Sequence, residues 1–163
     1  MAVTTVKPAG KALVAYETKG GATAESARKI ADVLRGKFGL EVDVVDLSEQ
    51  KISDLGAYSY IVVGAGVRGG RVYSKALKFL EGDFTGKKLA FFVSCGQGGD
   101  PNKCDEAKVK FAENTLVKYP NLNAVAWEAF GGRMSILGKK VFDNLDLAKV
   151  EAWAEGLGEK FTQ

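Results

Sequence analysis

The sequence predicts an α/β domain in which a parallel sheet lies between two layers of helices. Three observations carry that expectation. Apolar runs that read as buried strands alternate with segments of helical period along the chain. The runs at residues 58–66 and 87–95 are nearly continuous in apolar character, which suits central strands covered on both faces. Three strand ends also pass directly into glycine-rich loops.

Residues 1–10 lack the apolar stretch of a signal peptide and read as a short flexible leader, with one domain over residues 11–163. Ala12, Leu13, Val14 and Ala15 form the first buried strand. Ala27, Ile30, Ala31, Leu34 and Phe38 recur at helical spacing over residues 24–38, and Gly39 is placed to cap that helix. Residues 40–47 alternate, as a half-covered strand nearer a sheet edge does. Residues 48–57 are polar and predict a loop with room for one helical turn. After the 58–66 strand, Tyr73, Ala76, Leu77 and Leu80 give a helical stripe that Gly82 ends. Asp100 before Pro101 is a helix-start signal, and Pro120 stops that helix after about Tyr119. Residues 123–130 form a fifth strand, and residues 134–142 are expected to be a loop. Asp143 or Asp146 caps a last helix that buries Leu147, Val150, Ala154, Leu157 and Phe161.

With 163 residues, 46% hydrophobic and 26% charged, the chain has the makeup of one soluble globular domain. No apolar run approaches the ~20 residues that span a bilayer, so membrane insertion is not expected. Two cysteines, Cys95 and Cys104, are too few for a disulfide framework or a thiolate metal site, and free thiols suit the cytoplasm. The absence of histidine removes imidazole metal sites and Ser-His-Asp triads. Redox chemistry would therefore need a bound organic cofactor. A net charge of +3 without a Lys/Arg block gives no sign of nucleic-acid binding.

The stretch Tyr16-Glu17-Thr18-Lys19-Gly20-Gly21-Ala22-Thr23 joins the first strand to the first helix. The opening N–H groups of a helix lack intrahelical partners and carry partial positive charge, so such a turn can hold an anion. Gly20 and Gly21 let the backbone curl closely, and the Thr18 and Thr23 hydroxyls can donate to phosphate oxygens. Taken alone, the loop fits equally well an ordinary helix start with Thr23 as N-cap.

Tyr16, Thr18, Gly21, Thr23, Ala27 and Ile30 together resemble the N-terminal signature of the flavodoxin family over residues 14–30. Ala15 departs from it, standing where the family usually has a larger apolar residue. The resemblance implies a flavodoxin-like three-layer sandwich, a five-stranded parallel sheet in order 2-1-3-4-5 with helices on both faces. It implies FMN, with its phosphate held by Thr18, Lys19, Gly20, Gly21, Ala22 and Thr23. The flavin ring would then lie between a second loop, Gly66, Val67, Arg68, Gly69 and Gly70, and a third, Ser94, Cys95, Gly96, Gln97, Gly98 and Gly99. Cys95-Gly96 keeps the family's usual start of the third loop, and Cys104 lies near a second cysteine the family often has. Neither ring loop carries the stacking aromatic usual in the family; Tyr73, Trp127 and Phe130 are the candidates to replace it. A peptide flip at Gly69-Gly70 could follow protonation of the flavin.

The implied role is a monomeric or weakly dimeric carrier of low-potential electrons between redox partner proteins. Flavodoxins are usually acidic, whereas here Lys19, Arg68, Arg71, Lys103 and Arg133 fall on loops of one edge. Partners with acidic docking faces are therefore expected. Residues 64–70 also resemble a loop of menaquinone-dependent protoporphyrinogen oxidase, which leaves open a flavin-dependent oxidoreductase acting on a quinone or porphyrin. A phosphate-loop domain of this fold without flavin is a third alternative.

Overall fold

The computed structural model describes residues 10–163, so the leader expected at the N-terminus lies outside the described residues except for Gly10. The chain runs β1 (Lys11–Glu17), α1 (Ala22–Phe38), β2 (Glu41–Asp46), β3 (Tyr60–Arg68), β4 (Arg71–Val72), α2 (Ser74–Phe79) and β5 (Lys88–Ser94). A 3-10 turn, Gly96–Gly99, precedes α3 (Cys104–Ala107), which continues through a π-helical stretch, Lys108–Glu113, into α4 (Asn114–Leu116). Then follow β6 (Ala124–Phe130), β7 (Arg133–Ile136), β8 (Lys139–Asp143) and α5 (Leu147–Thr162).

Five parallel strands lie in the order β2-β1-β3-β5-β6, the predicted 2-1-3-4-5 arrangement once the short β4 is set aside. Ala12, Val14, Val62, Ala90, Phe92 and Phe130 pack under α1 and α5. Their neighbours Leu13, Ile61, Val63, Leu89, Phe91 and Val93 face α2 and the π-helical stretch. That alternation explains the continuous apolar runs, since both pleats of β1, β3 and β5 are buried. Gly64 sits inside β3 because a side chain there would meet the buried Phe92 ring at 2.1 Å.

Three local expectations are corrected. Residues 134–142 form a hairpin, β7–β8, rather than a loop, turning at Leu137 (φ 51°) and Gly138 (φ 76°). Two residues with positive φ match the twist of a tight hairpin. The helix expected from Asp100-Pro101 starts later, at Cys104. The Asp100 carboxylate instead accepts the Asn102 N–H (2.9 Å), and its carbonyl accepts those of Lys103 and Cys104. Asp100 therefore begins a turn, a competing use of the same side chain. That helical run ends at Leu116 rather than Tyr119. At the last helix the choice resolves to Asp146, which accepts from the Ala148 N–H at 3.0 Å.

The two helical layers are unequal. α1 has 17 residues and α5 has 16; the opposite layer has the run Cys104–Leu116 beside β5 and β6, but only the 6 residues of α2 beside β1 and β3. The β2–β3 connection, residues 47–59, contains no helix, as its polar sequence predicts. It is pinned by Tyr58, whose hydroxyl donates to Asp43 at 2.6 Å, while Lys11 pairs with the same carboxylate at 3.1 Å.

That bond makes stability pH-dependent at both ends. Donation to Asp43, with burial adding to it, pushes the Tyr58 phenol up to about 12, and the same bond holds the Asp43 carboxyl below its usual value. The contribution is complete below pH 10.0, the unperturbed phenol value, and is lost as pH rises from there to about 12. At the acid end it is present above pH 3.8 and lost as pH falls through the lowered Asp43 value. Tyr58→Phe should cost about 1 kcal/mol at neutral pH. Urea unfolding of both proteins should show that difference vanish towards pH 12; a difference constant across that range would exclude the bond as its source.

Candidate functional site

The strand order reverses between β1 and β3, so the loops after these strands diverge and leave a crevice at their C-terminal ends. The first loop is shaped by Gly21, whose φ of 93° is a left-handed conformation that a side chain would resist. Thr18 Oγ1 accepts the Gly21 N–H at 3.0 Å, which sets the loop's curl. Glu25 N–H donates to Gly21 O (3.1 Å) and closes the first helical turn. The Ala22, Thr23 and Ala24 N–H groups are left without an intrahelical acceptor, as an anion cradle requires. Gly21, and not Thr23, is the helix N-cap; Thr23 is buried beside it.

Of the residues expected at the site, Thr18, Lys19, Gly20, Ala22 and Thr23 line the crevice from the first loop. Gly66, Val67 and Arg68 line it from the end of β3, and Ser94 and Cys95 from the end of β5. The others stand apart from its lining. Gly69 (φ 60°) and Gly70 (φ 75°) make the tight β3–β4 turn, projecting into solvent. Gln97 is exposed. Gly96, Gly98 and Gly99 answer to packing: side chains there would meet the Phe142 ring at 3.3 Å, Phe130 O at 2.2 Å and Asn144 at 2.4 Å.

The wall opposite the first loop is the β7–β8 hairpin, which contributes Arg133, Met134 and Phe142. Gly20 passes so close to the Arg133 carbonyl that a Cβ would sit 2.4 Å from it. The Arg133 guanidinium pairs with Glu25 (2.6 Å) and Asp143 (2.9 Å), tying the hairpin to the start of α1. These bonds hold the Asp143 carboxyl below its usual range and raise Arg133 further. The hairpin leaves a narrow crevice beside the first loop.

Among the candidate aromatics, only Tyr73 reaches the crevice. Its ring lies on Gly66, where a Cβ would approach within 2.6 Å, and Lys19 Nζ stands 4.8 Å from the ring centre. Burial pushes the Tyr73 phenol up. Trp127 instead donates to Glu113 at 3.0 Å on the α2 side of the sheet, and Phe130 is buried against Phe92 and Trp153. Phe142 supplies a second ring, and only the pairing of β7 with β8 brings it there.

Two buried polar groups matter at this edge. The Ser94 hydroxyl, 5% exposed, has no hydrogen-bond partner among the described residues. Burial raises the Cys95 thiol, against opposing N–H groups of Gly98 and Gln97, so it stays protonated. Glu17, just before the first loop, is buried and accepts the Ala76 N–H at 3.0 Å at the start of α2. Asn144 carries no signal in the sequence, yet it fastens the third loop. Its amide donates to Gly96 O (2.8 Å) and its carbonyl accepts the Gly132 N–H (3.0 Å).

The sequence pattern of the family described as Flavodoxin domain matches residues 13–156. Among solved structures, flavodoxin 2 from Bacillus cereus is 27% identical, over 93% of this chain and 100% of that one, with a TM-score of 0.65. Flavodoxin 1 from the same organism is 23% identical over 94% and 97% of the two chains, with a TM-score of 0.64. Rubredoxin oxygen:oxidoreductase from Desulfovibrio gigas is 16% identical over 96% of this chain and 37% of that one (TM-score 0.67), a likeness of fold. No curated protein sequence matched the chain.

Asn144→Ala should leave the Gly132 N–H and the Gly96 carbonyl unpaired and cost about 1–3 kcal/mol of stability. Hydrogen exchange should show the loss concentrated at residues 94–99 and 131–144. Unchanged exchange there would mean that Asn144 does not hold the two loops together.

Proposed function

The chain belongs to the flavodoxin domain family, and from that premise we propose that it binds FMN non-covalently and carries low-potential electrons between redox partners in the cytoplasm. The observation that carries this reading is the anion cradle of Thr18, Gly21 and the α1 start, placed where the strand order reverses. The residues present fit the cofactor at both ends. The phosphate would take the free N–H groups of α1, and the partnerless Ser94 hydroxyl would face the ring. Tyr73 and Phe142 offer the aromatic surface that the second and third loops lack.

When bound, the flavin supplies the redox chemistry, and the protein holds and orients it. The β7–β8 hairpin flanks the crevice, so a bound flavin would lie beside Met134 and Phe142. The Arg133 pairs with Glu25 and Asp143 hold the hairpin against the start of α1, each contributing modestly because it is partly exposed.

Charge at the rim favours acidic partners. Arg68 and Arg71 are directly opposite each other across β3–β4, and neither has an ion-pair partner among the described residues. Like charges in such a pair repel, and an incoming carboxylate relieves that. A second reading, a flavin-dependent oxidoreductase with its own small substrate, rests on the same hairpin, since Met134 and Phe142 could wall a substrate pocket. Steady turnover of a small donor and acceptor without a partner protein would favour it.

FMN should bind far more tightly than riboflavin, measured by quenching of flavin fluorescence. Thr18→Ala should weaken FMN by about 1–2 kcal/mol and riboflavin much less. Equal affinities for the two flavins would overturn the phosphate assignment. With an acidic partner, electron-transfer rates should fall as salt is added; rates that rise would point to a different docking face.

A further inference from the structure

We propose that the groove beside α2 binds a free amphipathic anion, a single alkyl chain ending in a carboxylate. The groove holds about 690 Å³ and shares no lining residue with the crevice, so it does not depend on the flavin reading. It exists because residues 47–59 cross from β2 to β3 without a helix, leaving the α2 face of the sheet thinly covered. Its floor is Leu47, Ile52, Leu55 and Phe79, all half-buried and packed at the margin of the core.

Its border is four lysines, Lys51, Lys75, Lys78 and Lys87, against one carboxylate, Asp83. That carboxylate is already engaged by the Thr85 N–H (3.0 Å) and hydroxyl (2.6 Å). Lys87 donates to the Tyr58 carbonyl at 2.6 Å. Lys51, Lys75 and Lys78 are exposed and make no ion pair among the described residues. Lys75 and Lys78 are neighbours on one face of α2, whose sequence contains no acid. The opposite layer is built differently: there Lys29 and Lys37 each find Glu151 within 4 Å across α1 and α5. Lys51, Lys75 and Lys78 thus border the apolar floor without an ion-pair partner among the described residues.

The size and shape select the occupant. A volume of 690 Å³ lies within the ~300–1,000 Å³ typical of small-ligand sites. A docked partner helix would need a longer wall than the 6 residues of α2, roughly 9 Å. An alkyl chain along Phe79, Leu55 and Ile52 with its carboxylate between Lys75 and Lys78 satisfies both the floor and the border.

Titration of the isotope-labelled full chain with decanoate, below its micelle-forming concentration, tests this by amide chemical shifts. Saturable shifts at one site, confined to residues 47–56, 75–79 and 82–87, are expected. 1-Decanol should bind more weakly. Lys75→Gln/Lys78→Gln should weaken decanoate about fivefold to tenfold and leave decanol unchanged. Both lysines are exposed, so the variant should unfold at the same temperature as the parent. Failure to saturate, equal affinity for decanol, shifts centred on the crevice, or displacement of decanoate by an acidic peptide of similar affinity would each overturn the proposal.

Discussion

A strand buried on both faces must pass its chain out at its ends, and β1 does so where the strand order reverses. Ala12, Leu13, Val14 and Ala15 are wholly buried between the two helical layers, and β2 and β3 flank them in parallel. The connection from β1 must cross to one face and that from β3 to the other, because right-handed crossovers on either side of a switch point diverge. The crevice, the exposed start of α1 and the positive φ of Gly21 all follow from that divergence.

The second constraint is close backbone approach. Glycines that look in sequence like ligand loops serve two different purposes. Gly21 is bent by the strand-to-helix turn itself. Gly64 makes room for Phe92, Gly66 for Tyr73, Gly98 for the Phe130 carbonyl and Gly99 for Asn144. These four are close contacts within the protein. Charge at the same edge is likewise divided. Arg133 is neutralised by Glu25 and Asp143 and holds the hairpin, whereas Arg68 and Arg71 face solvent.

The asymmetry of the helical layers links the two regions of interest. On one face, α1 and α5 run the height of the sheet and interleave their charges. On the other, a six-residue α2 and a helix-free connection leave apolar residues half covered and lysines unpaired. Glu17 sits between these settings, capping α2 from the end of the strand that begins the crevice.

Local regularities were legible in the sequence. Continuous apolar runs marked β3 and β5, alternation marked β2, and helical spacing marked α1 and α5, because burial of a face imposes a period on neighbouring residues. The five-strand order and the cradle at Thr18 to Thr23 followed from the family signature, which is contiguous in the chain. What stayed hidden depends on pairs distant in sequence. Arg133 with Glu25, Asn144 with Gly96, Phe142 with Tyr73 across the crevice, and Gly64 beneath Phe92 carry no period and no spacing. The hairpin of residues 133–143 was also missed, since its mixed apolar and charged sequence has no buried period and its one inward ring takes its meaning from the wall it faces. Sequence settled which segments are buried; only tertiary contact decided which glycines serve packing, which cations are spent, and how far the crevice stands open.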